Sequence, residues 1–370
     1  MAAQQKLKQI FPDWYELWLF SALKFDEQSI LNEDVLKPII ALNTHWLKEN
    51  YEKEKYEWDS EQVARAYALY YMTANLPKLW MVFSKSKEWQ NSISSNITEL
   101  TEFGCGPGTF LWSYLFYIYK FNPKQLKKIT KIRGIDHSQE NLRIADKLYK
   151  ELIKQEEFSH IHAEFKFAEW PTAIKRIPEV SQDHHLSIFG NSLIESTNYM
   201  ADLTQLKINN LLILEPGTNK HFQRLRKIRD QLVEDNYTIH FPCSGNTKCP
   251  MPIDNWCHFN VNRFLLPFMQ KISNAAGRRN HKHHFSGFLF SKHGCTEQKK
   301  LWRVLSNPRK AKGSVIRYLC DAQNVKEVVL NKKDKSDANR DFIKAELGDL
   351  ANCSSELKNN RLYKQDSFKL

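Results

Sequence analysis

Apolar residues recur at three- and four-residue spacing from Asp13 to about Gln90, with Trp14, Leu17, Trp18, Ala22 and Leu23 on one stripe and Val63 to Tyr71 repeating the pattern. That period predicts helices. The run from Ala64 to Pro77 predicts one helix closing near Asn75, because a proline biases the residue before it away from helical angles. Past a polar linker around Ser92 to Asn96 the texture changes. Short apolar runs at Ile97 to Phe103, Ile132 to Ile135, Glu164 to Ala168, His185 to Gly190 and Leu211 to Leu214 alternate with helical stretches, notably Thr109 to Tyr119 and Ser138 to Glu156. This alternation predicts a mostly parallel α/β sheet. From Tyr237 the order loosens into a stretch holding Cys, Pro and Trp. A helix near Phe264 to Ala276 follows, then strand-like runs at Phe285 to Phe290, Val315 to Leu319 and Val325 to Leu330. The Lys-, Asp- and Asn-rich tail reads as part helix and part flexible. The expected division is a helical region over 1–90, a Rossmann-like core over 91–236, a basic cysteine-rich segment over 237–330 that completes the sheet, and a charged tail over 331–370.

Hydrophobic residues at 42% and aromatics at 12% of 370 residues exclude wholesale disorder and fibrous architectures. No apolar run approaches the roughly 18–20 residues that span a bilayer. The N-terminus, Met1 to Lys6, carries neither an apolar signal region nor an Arg-rich transit pattern, so a cytoplasmic protein without a membrane partner is expected. The net charge of +12 is unevenly placed. Between Gly217 and Cys320 there are 19 Lys and Arg against five Asp and Glu, a local excess of +14 that leaves the rest of the chain at −2. A field of that sign favours polyanions through counterion release, nucleic acid first.

The segment Glu102, Phe103, Gly104, Cys105, Gly106, Pro107, Gly108, Thr109 falls where the first strand hands over to the first sheet helix, the place where a doubly wound sheet opens its ligand crevice. Gly104, Gly106 and Gly108 let backbone approach a ligand closely. Dinucleotide sites prefer G-x-G-x-x-G, which aims a helix N-terminus at pyrophosphate. An acidic residue followed by G-x-G-x-G suits a ligand without phosphates. S-adenosylmethionine is such a ligand, and the loop resembles motif I of class I methyltransferases, with Glu102 facing the methionine ammonium. The second strand ends at Asp136, whose carboxylate suits both ribose hydroxyls. A glycine turn kept only for packing, or an empty degenerate site, has the same residues.

Seven cysteines are an odd number at low density, which argues against a disulfide framework and toward reduced thiols. Cys243, Cys249 and Cys257 form C-x5-C-x7-C in a loop stiffened by Pro242, Pro250 and Pro252, and Cys320 comes much later at a strand end. Zinc sites usually pair ligands two to four residues apart. Wider spacing plus one remote thiol suits a 4Fe-4S cube, with zinc and unligated buried thiols as the alternatives. Cys105 belongs to the glycine loop, and Cys295 and Cys353 lack partners. The His281 to His284 run, with Arg278, Arg279 and Lys282, reads as a phosphate-facing basic turn.

The order of these motifs is distinctive: the loop Gly104 to Thr109, then Glu215-Pro216-Gly217-Thr218, Cys243, Cys249-Pro250, Trp256-Cys257-His258-Phe259, Leu319-Cys320 and late Gly348-Asp349. It resembles the methyltransferase-like family associated with the small subunit of the mitochondrial ribosome, including its bacterial relatives, over roughly Ala64 to Asp349. The resemblance implies an α/β fold: a Rossmann-like class I methyltransferase sheet with an N-terminal helical region and a cysteine-bearing insertion and C-terminal extension. It also implies a 4Fe-4S cluster on Cys243, Cys249, Cys257 and Cys320, and a role in small-subunit assembly and translation. The partner is then the small ribosomal subunit and its rRNA, the chain a monomer, and the compartment the mitochondrial matrix if the source is eukaryotic. Two departures stand out. Asn280 to His284 replaces an acidic stretch, and Leu347 stands where a Trp commonly precedes the late Gly-Asp. The fourth strand runs into Gly190 to Glu195 without an Asp/Asn-Pro-Pro-aromatic motif, so amino-group methylation of adenine or cytosine loses support and no catalytic residue is assigned. Methyl transfer needs few catalytic groups, since the donor is already activated. A methyltransferase acting on rRNA and a non-catalytic RNA-binding assembly factor are both compatible with these residues.

Overall fold

The N-terminal periodicity becomes α1 (Tyr15–Leu23), α2 (Glu33–Trp46) and α3 (Glu61–Ala66) in a computed structural model describing residues 7–46, 59–169, 182–193, 203, 208–263, 265–292, 301–353 and 357–370. Ser60 caps α3, its hydroxyl accepting from the Val63 N–H. The helix does not end near Asn75. It widens into a π-helical turn over Tyr67–Met72 and continues as α4 (Thr73–Ser84) with Pro77 inside it. Proline removes one rung of the helix, but Leu76, Leu79 and Trp80 around it are wholly buried, and packing on that scale outweighs a local preference.

The chain divides into two compact units, residues 1–81, 93–214 and 260–283 in one, and 82–92, 215–259 and 284–370 in the other. The first unit is built on five parallel strands: β1 (Glu99–Phe103), β2 (Lys131–Asp136), β3 (His162–Phe167), β4 (His185–Gly190) and β5 (Asn210–Pro216). They pair in the order β3-β2-β1-β4-β5. The reversal between β1 and β4 is the switch point of an open α/β sheet. Between the strands lie α5 (Thr109–Phe121) and α6 (Gln139–Leu152), α6 beginning at the Ser138 cap. The leader packs on these helices through named bonds: Trp18 Nε1 donates to the Leu148 carbonyl at 2.8 Å and Trp80 Nε1 to that of Ser113 at 2.7 Å.

The second unit holds α7 (Asn219–Glu234), capped by Thr218, and the antiparallel pair β6 (Thr238–Phe241) and β7 (Lys282–Ser291). It also holds a separate sheet of β8 (Leu301–Val304), β9 (Ser314–Cys320), β10 (Val325–Asn331) and β11 (Leu350–Cys353), hydrogen-bonded in the order β10-β9-β8-β11. The tail beyond Leu330 therefore contributes strand as well as short helix, including α8 (Asp341–Lys344) and the two-residue strands Arg361–Leu362 and Phe368–Lys369. Ala351, Leu362, Phe342 and Phe368 bury there with Val304, Leu319 and Val328 in one core. Strands of two to four residues are too short to show their period in a polar sequence. Among the described residues no helix is long and apolar enough to cross a membrane.

Two strand histidines make acid stability predictable. His185 on β4 meets the Thr101 hydroxyl at 2.9 Å, and burial, with the Arg133 charge adding to it, lowers its pKa to about 4. His240 on β6 meets the Ser291 hydroxyl at 2.7 Å, and burial alone lowers it to about 4. Both are neutral when folded, while the unfolded chain takes up their protons from about pH 6.5 downward. Stability is thus intact above pH 6.5 and falls as pH drops toward 4, by on the order of 1–2 kcal/mol per histidine at pH 5. Urea unfolding at pH 7 and pH 5 checks this: His185→Gln and His240→Gln should each flatten the difference.

Candidate cofactor loop and cysteine centre

The glycine loop joins β1 to α5, and its geometry accounts for each glycine differently. Gly104 has φ +64°, and a Cβ there would sit 2.3 Å from the Ser192 Cβ, so this glycine is required by packing. Gly106 has φ +52°, and a Cβ there would meet only the Tyr67 ring, at 3.8 Å, so it is the glycine with open space beside its backbone. Gly108 has φ +84°, and a Cβ there would run into the Trp112 indole at 2.8 Å.

Glu102 and Asp136 both reach this loop. Glu102 is 1% exposed, and its Oε2 accepts the Phe110 and Leu111 N–H groups at 3.0 and 3.1 Å. It closes the start of α5 rather than pointing that oxygen at an incoming ammonium. Asp136, at the tip of β2, accepts the Gly106 N–H at 2.7 Å through Oδ2 and the Ser138 N–H at 2.9 Å through Oδ1. The His137 backbone also bears on this carboxylate, and what is left of its about four acceptor positions is open to a hydroxyl. Burial pushes both carboxyls above their ordinary pKa, well above for Glu102, against the pull of these N–H donors. Both carboxyls belong to the one loop, and a ligand carrying positive charge there would favour their ionised forms.

Two residues here escaped the sequence reading. Asp59 Oδ1 accepts from the Ser138 hydroxyl and the Glu140 N–H, both at 3.0 Å, tying the leader to the tip of β2. Tyr67 opens the π-helical turn and faces Gly106. Such turns gather at functional sites, but no periodicity in the sequence marks them. Asn191 adopts φ +59° and its N–H bonds the Leu214 carbonyl, a turn role. Ile194 and Glu195 lie outside the described residues.

In the second unit Cys243, Cys249, Cys257 and Cys320 are free, half-buried thiols. The loop bearing the first three is held from several sides. Asp230 accepts the Cys249 N–H at 3.1 Å, Arg226 donates to the Cys249 carbonyl at 3.0 Å, and the Ser286 hydroxyl donates to that of Cys257 at 2.8 Å. The remote thiol is tethered to the same loop: the Thr247 hydroxyl donates to the Ala322 carbonyl at 2.6 Å, two residues past Cys320, and Gly245 leaves room for the Ala322 methyl. The four thiols share one electrostatic neighbourhood. Burial raises the Cys257 pKa well above the ordinary thiol value, and Cys243, Cys320 and Cys249 raise it further. Burial, then Cys243, takes Cys320 to about 12. Thiols that repel each other's ionisation lose their protons to solvent only when a bound cation stabilises the thiolates. Among the described residues no three His, Cys, Asp or Glu side chains are gathered to hold a metal ion. A tetrahedral zinc draws its sulfurs to about 3.8 Å apart; a cube with ligands at four corners needs a wider ring. Cys105 is buried in the glycine loop and Cys353 in the core of the second sheet. Cys295 lies outside the described residues.

The basic block is only partly a surface. Arg229, Arg303 and Arg317 are buried, Arg317 donating to the carbonyls of Ser306, Phe342, Ile343 and Ala345 around α8. In the expected basic turn Arg278 is turned inward, donating to the Tyr71 hydroxyl at 2.7 Å, and His283 is directed at the Ala74 carbonyl. Arg279 and Lys282 stay exposed, as do Lys310 and Lys312 in the second unit.

The family described as mitochondrial small ribosomal subunit Rsm22 matches residues 61–352, a span that takes in the glycine loop and all four of these cysteines. No curated protein matches the chain. Among solved structures it is similar to M. capricolum TrmK bound to S-adenosyl-homocysteine, at 15% identity over 55% of this chain and 66% of that one, with TM-score 0.30. It is also similar to magnesium protoporphyrin IX methyltransferase from Synechocystis PCC 6803, at 9% identity over 72% of this chain and 100% of that one, with TM-score 0.33.

Proposed function

Since the chain belongs to the family of the mitochondrial small ribosomal subunit protein Rsm22, we propose that it binds S-adenosylmethionine and acts on or with small-subunit rRNA during ribosome assembly and translation. In this reading Asp136 and the Gly106 backbone take the ribose and methionine parts of the cofactor, and Cys243, Cys249, Cys257 and Cys320 hold a 4Fe-4S cluster. When bound, the cofactor supplies an activated methyl group. The chain's own part is to bind it, orient it and keep water away. The observation that supports the reading is the bond from the Thr247 hydroxyl to the Ala322 carbonyl, which ties the segment just past Cys320 to the loop bearing the other three thiols. An all-thiolate set suits an iron-sulfur cluster and structural zinc alike, and the wide spacing of the ligands along the chain favours the cluster. Exposed Arg279, Lys282, Lys310 and Lys312 supply charge for phosphate contacts. In a eukaryotic cell the compartment is the mitochondrial matrix.

A second reading, a non-catalytic RNA-binding assembly factor with the same fold, is favoured by Glu102, whose Oε2 is spent on the N-terminus of α5. Calorimetry separates the two. The cluster-loaded chain is titrated with S-adenosylmethionine, and its sedimentation with small subunits is measured in parallel. Binding of both is the expected outcome; ribosome association without cofactor binding removes the methyltransferase reading.

A further inference from the structure

We propose that Arg303 is the built-in counter-charge of the four-cysteine site, held in place by the Gly348–Asp349 turn, with Arg229 as a weaker second cation; this rests on the cluster reading above. Arg303 lies on β8 in direct register with Cys320 on β9, and residues so paired project from the same face within about 5 Å of each other. It is 1% exposed. Its Nε donates to the carbonyl of Pro242, the residue before Cys243. Its Nη1 donates to the carbonyls of Gly348 at 2.6 Å and Lys85 at 3.2 Å. Its Nη2 is buried without a partner. One guanidinium thus spans from the strand of the fourth thiol to the loop of the first.

Every bond that Arg303 makes is to a neutral carbonyl. The nearest acid, Asp349, is committed elsewhere: Oδ1 to the Lys85 ammonium at 2.5 Å, and Oδ2 to the Glu346 N–H at 2.7 Å. A buried cation in that position costs several kcal/mol unless an anion faces it. Four cysteine thiolates around a four-iron cube carry roughly two negative charges, and a cation beside the sulfurs is a lever on such a site's potential. Arg229 completes the arrangement. It is 0% exposed and interacts with the Cys243 side chain, but its Nη1 donates to Asp230 at 2.5 Å, which discounts its charge. The late Gly-Asp pair thereby acquires a purpose. Gly348, at φ +88°, turns its carbonyl onto Arg303, and Asp349 locks the turn.

The experiment is an anaerobic dithionite titration of the full chain, followed by its visible absorbance, with iron and sulfide content measured alongside. Arg303→Met is expected to keep the cluster and to become harder to reduce, its reduced-to-oxidised ratio falling about tenfold at a fixed potential, a shift of ~59 mV for a one-electron couple. Arg303→Lys restores most of that shift because the charge returns. A purely structural role would lower melting temperature without moving the potential. An Arg303→Met chain that binds iron and titrates like the unaltered chain overturns the proposal. Should that variant not fold, Arg229→Met is read instead, with a smaller shift in the same direction expected and no shift counting against the proposal. An unaltered chain that stays colourless after reconstitution sinks the cluster reading itself, a different result from either.

Discussion

On the proposed cluster reading, a Cys257→Ser chain purified without oxygen is expected to be colourless, and the unaltered chain is expected to be brown with broad absorbance near about 400 nm. Cys257 is the informative position because its thiol interacts with each of the other three, Cys243, Cys320 and Cys249. A serine oxygen is too hard a donor to replace thiolate toward iron and sulfide, and three ligands leave one corner of the cube to solvent. Since metal binding to such a site is folding energy, the variant also loses thermal stability in the second unit. Cys353→Ser is the control. That thiol packs with Trp302, Phe342 and Phe368 in the second sheet, so the change costs stability and leaves the colour. Equal iron content in the Cys257→Ser and unaltered chains would remove Cys257 from the ligand set, and a zinc-loaded, colourless unaltered chain would replace the cluster.

The second large effect is expected at Asp136. Asp136→Asn should weaken S-adenosylmethionine binding by about 30- to 150-fold, from the loss of about 2–3 kcal/mol of charge-assisted hydrogen bonding. The carboxylate accepts from Gly106 with one oxygen and from Ser138 with the other. An amide keeps a single acceptor oxygen and turns its NH2 toward one of those N–H groups, donor against donor. The loop loosens where its backbone is most open, and an acceptor for the ribose is lost together with the negative charge. Calorimetry measures the affinity, and circular dichroism checks that the sheet is retained. An affinity within threefold of the unaltered chain would show that the ribose is held elsewhere.

Much of the first unit was legible before any coordinates. The runs at His185 to Gly190 and Leu211 to Leu214 become β4 and most of β5, because strands buried on both faces are written as continuous apolar stretches. The glycine loop was legible for the same kind of reason: only its position between strand and helix needed to be right. What could not be read was whatever depended on a distant partner. Pro77 marks a helix end locally, but burial of its neighbours overrode it. The basic count from Gly217 to Cys320 pointed to a polyanion, yet Arg303 and Arg317 answer to carbonyls inside the second unit. Asp59 and Tyr67 carry no motif, and only the fold brings them to Ser138 and Gly106. Glu102 was identified as the acidic residue of the loop, but the N–H groups of Phe110 and Leu111 claim its Oε2 in competition with a ligand, a contest that spacing does not reveal.

The tether between Thr247 and Ala322 sets an order of events during translation of the protein itself. The first three sulfurs emerge from the tunnel, and at roughly 5–20 residues per second the strand with the fourth follows several seconds later. The turn that seats Arg303 comes later still. A chain that stops before Cys320 therefore carries an open three-thiol loop, and one that stops between Cys320 and Gly348 carries all four sulfurs without the carbonyl that seats Arg303.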